Sequence, residues 1–200
     1  MSEIYRWKTK EEIDPNNIIE VIEWANHFSG VNRQSNDVSR ALERCVIGAY
    51  QCGYLPDCNE RLAYVQGQTK DALLTFIEDT LASVLIHSIA AYEMTGREAV
   101  KLNMLSCRTW EETQDIYKPL AIRDFWYYYQ LLSEHMFKYQ RWMLYLHMDR
   151  TKRWNEEEFK VSLEGLIEKT FLLSCVMGIN LTEGFRQSIL KLQDGEIRRH

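Results

Sequence analysis

Residues that break regular structure are scarce in this chain, with three prolines and nine glycines among 200 residues. A many-stranded sheet needs a turn roughly every 8–12 residues, and so few breakers cannot supply them; long helices are favoured instead. Runs of one charge are also missing. Twenty-four Lys and Arg stand against 29 Asp and Glu, for a net charge of −5, and no Lys/Arg-rich stretch offers the basic face that a general nucleic-acid binder needs. Nucleic acid is therefore not an expected partner. No continuous 18-residue apolar run is present, so no membrane span is expected. The opening MSEIYRWKTKEE lacks the apolar core of a secretory signal. The five cysteines (Cys45, Cys52, Cys58, Cys107, Cys175) are odd in number and never spaced C-x-x-C, which argues against a disulfide framework or a zinc ribbon. These absences together point to the reducing cytoplasm.

What the chain does have is length enough to bury roughly 70% of its unfolded surface, and many aromatics: eleven Tyr, seven Phe and six Trp. Helix signals follow one another along it. Asp14-Pro15 pairs a capping acid with a first-turn proline and opens IIEVIEWANHF, which ends at Gly30. A second helix starts after Asp37, with Val38, Leu42, Cys45, Ala49 and Cys52 as its apolar stripe, and Gly53 stops it. A short helix is expected near Glu60–Tyr64. A third long helix, capped by Thr69, should run to about Thr95, and another short one should end before Pro119. From Ile122 to about Asp149, Phe125, Tyr129, Leu132, Met136, Tyr139, Met143 and Leu146 recur in alternating steps of four and three, the spacing of a heptad seam. Trp126, Phe137 and Leu144 form a second stripe on another face. A helix apolar on two faces touches two neighbours, and one of them is open to a second subunit. Asn155 with Glu156-Glu157-Glu158 starts the next helix, Gly178 ends it, and a last one covers about Thr182–Leu192.

Two of these stretches echo each other. Set Gly96 on Gly178, and Leu81 meets Leu163, Val84-Leu85 meets Leu166-Ile167, and Ile89 meets Phe171. Beyond the glycine the second copy is longer, after which Val100-Lys101 matches Phe185-Arg186. The expected fold is an all-α bundle with two related halves, residues 14–106 and 120–193, either separate or fused into one compact domain.

The layout resembles the all-α nucleoside triphosphate pyrophosphohydrolases, the MazG-like and dimeric dUTPase-like proteins. Trp24-Ala25-Asn26 lies on an opening helix, LERCVIGAY stands where that family has an acidic L-x-E-E-x-x-E-L helix, and TLASVLIHSIAAYEMTG stands where it has E-L-A-D-V-L-I and a glycine. The resemblance implies cleavage between α and β phosphates with Mg²⁺ held by two pairs of acids, and assembly as a dimer or a tandem fusion. The acids themselves are replaced. The first pair meets Glu43, Arg44 and Ile47; the second meets Thr80 and Ser83 in one copy and Ser162 and Gly165 in the other. Mg²⁺ prefers carboxylate and water oxygens, so neither copy retains the usual metal site. Glu20 and Glu23, which share a face of the first helix, together with Glu43 and Glu78 are the acids able to rebuild one; they are equally the solvated border of ordinary amphipathic helices.

Other constellations are bland. His87 reads as a histidine at the edge of the core, and Glu164 and Glu168 as surface charge. No G-x-S-x-G, Walker or dinucleotide glycine pattern occurs. The expected function is a non-catalytic binding or regulatory protein on a degenerate MazG-like scaffold, with no cofactor. The alternatives are a divergent Mg²⁺-dependent pyrophosphohydrolase and a structural, partner-binding helical protein. Expected partners are a nucleotide and a second copy or another protein, with no membrane.

Overall fold

The computed structural model describes residues 38–95, 110–150 and 153–185, together with Asp14, Asn17 and Glu20. It is an all-α bundle, with no strand among the described residues. The helices are α1 (Val38–Cys52), α2 (Leu55–Leu62), α3 (Gly67–Met94), α4 (Trp110–Tyr117), a 3-10 turn at Lys118–Leu120, α5 (Phe125–His147) and α6 (Glu156–Met177). Residues 181–185 are also helical. The four long helices close a ring: α1 packs on α3 and α5, and α6 packs on α5 and α3. Helices α2 and α4 cover its sides, α2 against α3 and α4 against α6.

Local chemistry sets most helix ends. Asp124 Oδ1 accepts from Tyr127 N at 2.9 Å to cap α5, and Asn155 Oδ1 accepts from Glu158 N at 3.1 Å to cap α6. At the other end of α6, Gly178 takes a left-handed φ of 67°. Ile179 N then donates back to Ser174 O at 2.9 Å, satisfying a last-turn carbonyl. Glu20 N donates to Asn17 Oδ1 at 3.3 Å and Asn17 N donates to Asp14 O at 2.9 Å; the rest of the first expected helix lies outside the described residues. The expected start of α3 moves. Helix α3 starts at Gly67 and not at Thr69. Gly67, at φ 55°, turns the chain from extended Gln66 into the helix and leaves Thr69 inside the first turn.

The buried line of α1 is Ala41, Cys45, Gly48 and Cys52, with Val38, Leu42 and Ala49 half-buried beside it. Small residues hold that line because α3 comes close. A Cβ on Gly48 would stand 3.3 Å from Ser88 Oγ and 3.6 Å from His87 Cβ. Helix α3 is long and apolar enough to cross a membrane, but 56% of its most apolar window lies buried inside the bundle. It is the central helix. The matching positions of the two echoing stretches, Leu81, Val84, Leu85 and Ile89 on α3 and Leu163, Leu166, Ile167 and Phe171 on α6, are all buried, and these two helices pack on each other.

The core runs without a break through both expected halves. Phe159 on α6 stacks on Tyr139 of α5, with ring centroids 4.9 Å apart and planes 3° apart, and on Tyr92 of α3 at 5.1 Å. Trp154 closes against Phe159 at 4.9 Å. Tyr139 Oη donates to Ser88 O at 2.7 Å, crossing the bundle from α5 to α3. The heptad seam of α5 faces this core, whereas Trp126, Phe137 and Leu144 point outward and stay exposed.

Gly165 on α6 makes room for His135 on α5: an added Cβ would lie 2.1 to 2.6 Å from its ring atoms. Gly165→Ala is expected to cost about 1–3 kcal/mol through overpacking. In a double-mutant cycle with His135→Ala, measured by urea unfolding, the pair should cost clearly less than the sum of the singles; additive costs would show that the ring is not the obstacle. For the cross-bundle bond, Tyr139→Phe should lose about 1 kcal/mol and Phe159→Ala about 3–5 kcal/mol in the same assay. An unchanged midpoint in Tyr139→Phe would mean that the bond to Ser88 contributes nothing.

Candidate functional site: the polar waist between α1 and α3

Helices α1 and α3 run antiparallel. Gly48 faces Val84, His87 and Ser88, while the Tyr54 ring just beyond α1 lies 5.9 Å from Phe76. One turn before Gly48, Arg44 brings Nη1 to 3.2 Å from His87 Nδ1. A guanidinium only donates, so Nδ1 must accept, and the imidazole is neutral with its hydrogen on Nε2. Burial and then the Arg44 charge push the His87 pKa from 6.5 down to about 3. Arg44 is itself held below its ordinary range, first by burial and then by Arg40 one turn earlier, with Glu43 acting in the opposite direction. Ser88 presents two groups to this waist. Its carbonyl takes the Tyr139 hydroxyl, and its buried Oγ has no hydrogen-bond partner among the described residues.

The acids singled out from sequence lie elsewhere. Glu43 is exposed on α1. Glu78 is half-buried on α3, and its carboxyl is raised by burial and by Glu183. With α1 and α3 antiparallel, Glu43 sits beside the C-terminal part of α3, roughly 15 Å along the axis from Glu78 at 1.5 Å per residue. Glu20 accepts from Asn17 Nδ2 at 3.3 Å at the start of its own helix. Glu23 lies outside the described residues. Among the described residues, no three His, Cys, Asp or Glu side chains gather to hold a metal ion.

The positions that would carry the second acid pair are occupied by structural groups. Thr80 is buried and its Oγ1 donates to Phe76 O at 2.7 Å; Ser162 is buried and its Oγ donates to Phe159 O at 2.7 Å. Ser83 is half-buried, and Gly165 receives the His135 ring. This donor set does not fit Mg²⁺, which needs oxygens free to face it.

Among the described residues the thiols are silenced too, Cys107 lying outside them. Burial pushes the thiols of Cys45 and Cys52 up to about 12 and raises those of Cys58 and Cys175, so none is a thiolate at neutral pH. Ser88 Oγ has no base bonded to it. Sequence reading placed His87 at the edge of the core but missed Arg44 as its partner. The available signal was a long cation one residue ahead of Cys45 and one turn ahead of Gly48, on the helix whose small residues admit α3. Glu183 was missed because its approach to Glu78 is a contact between distant segments. Compared with known proteins, the chain matches no family model, no curated protein and no solved structure.

Because His87 is neutral when folded and has a pKa of 6.5 when exposed, the unfolded chain binds the extra proton first. Stability is complete above pH 6.5 and should fall as the pH drops toward about 3, by up to about 1.4 kcal/mol per pH unit. His87→Gln keeps an acceptor for Arg44 but cannot titrate. Its stability, measured by urea unfolding across this range, should fall less steeply, the remaining slope including His135, whose pKa is also lowered by burial. Equal slopes in both proteins would refute the buried neutral imidazole.

Proposed function

We propose that this chain is a non-catalytic binding or regulatory protein, built on a helical scaffold like that of the all-α pyrophosphohydrolases. One observation carries the proposal. Along the seam where a catalytic relative would present carboxylates to a metal, α1 offers the cation Arg44 to a neutral His87, and about two turns earlier on α3 the hydroxyl of Thr80 is turned back onto its own helix. The seam is suited to an anion and not to a divalent cation. The charge of Arg40, four residues earlier on the same face, disfavours that of Arg44, and a phosphate or carboxylate beside Arg44 would relieve that repulsion. A nucleotide bound here would meet the arginines directly, without a bridging metal.

The test is thermal unfolding against a panel of NTPs and dNTPs, with and without Mg²⁺ or Mn²⁺. A ligand at 100 times its Kd adds about 2.7 kcal/mol, a shift of several degrees. The expected result is a shift with nucleotide alone, lost in Arg44→Gln, with no pyrophosphate released. A shift that requires metal and is accompanied by pyrophosphate release would overturn the proposal in favour of a divergent Mg²⁺-dependent pyrophosphohydrolase. No shift with any nucleotide would remove nucleotides as ligands and leave binding to proteins.

A further inference from the structure

Among the described residues, no element packs over the outward face of α5, and that face is apolar. Trp126 is 48% exposed, Phe137 64%, Leu144 42% and, just past the helix end, Met148 46%. At 100° per residue these four fall within about 40° of one another, with exposed Gln130, Glu134 and Arg141 interleaved. We propose that this face binds a second copy of the chain, with the two α5 helices antiparallel and Phe137 on the two-fold axis. The reading is independent of the ligand proposed above, because it concerns a different helix and different residues.

Three observations favour a second copy over another occupant. The first is register. Trp126 and Met148 stand eleven residues to either side of Phe137, so a two-fold axis there sets each Trp126 on the Met148 of the other copy. An isologous interface requires such self-complementarity. The second is charge. Glu134 lies three residues before Phe137 and Arg141 four after it, on the same flank of the stripe. The same axis therefore brings Glu134 of each copy to Arg141 of the other. A parallel pairing would oppose like charges instead. The third is area. At about 200 Å² for a large side chain fully exposed, the four apolar groups offer roughly 400 Å² per copy. With the interleaved polar residues, the two copies together come close to the ~1,200 Å² at which stable interfaces begin.

Analytical ultracentrifugation across a wide range of concentration tests this, with circular dichroism to verify folding. The wild type is expected to sediment as a dimer, and Phe137→Glu, at a mostly exposed position, as a folded monomer. Glu134→Arg and Arg141→Glu alone should each weaken the dimer several-fold, since each brings like charges together. Mixing these two single variants should restore it as a heterodimer in which every flank pair is again opposite in sign. A wild type that stays monomeric at every concentration would overturn the proposal. So would a dimer that Phe137→Glu leaves intact, or single variants that fail to recover on mixing.

Discussion

The Tyr139 side chain is where the bundle is joined. Its hydroxyl reaches across the core to Ser88 O on α3, and its ring lies flat on Phe159 of α6. One residue of α5 thus fixes two other helices at once. The bond costs little to form, because a helix carbonyl has a second lone pair beyond the one its own helix uses. It would cost more to leave unmade, since a buried phenol without a partner loses its hydration for nothing. The aromatic column Tyr92, Phe159 and Tyr139 is aligned by this constraint, and Trp154 and Trp142 pack on from the outer side.

The same level of α3 carries two of the buried polar residues of the interior, His87 and Ser88. His87 takes Arg44 from α1 on one side, while Ser88 offers its carbonyl to α5 on another. A helix this apolar would otherwise pack in several rotations with similar energy. A single turn with distinct polar demands toward α1 and α5 leaves only one that satisfies them. The polar waist therefore selects the arrangement of the bundle as well as offering a cationic edge to solvent.

Much of the fold was legible because it is written in local signals. Asn155 before three glutamates and Gly178 after a long apolar helix each act within one turn, and each marks a real helix end; α5 was expected from Ile122, but Asp124 caps it and it starts at Phe125. The seam of α5 was readable for the same reason: a period of 3.5 repeated over seven side chains cannot face solvent on every turn. The candidate site was far less legible. Glu43 and Glu78 look like partners on a helical wheel, but a wheel carries no information about register between helices, and the antiparallel packing set by Gly48 against Ser88 draws them apart. Arg44 entered the sequence reading only as a replacement at the first acid pair, and only the close approach of α3 brings it to His87.

The sequence by itself determined that the chain is helical, where most of its helices begin and end, and which stripes are apolar, since propensity, capping and periodicity act between residues no more than a few positions apart. Only the tertiary structure decided which apolar stripe of α5 is buried and which is left outside, and which polar side chains meet. Those outcomes depend on which helices lie side by side and at what register, a choice made jointly by volume and hydrogen bonding across the whole core. Tyr139 and Ser88 are 51 residues apart in the chain and 2.7 Å apart in the fold.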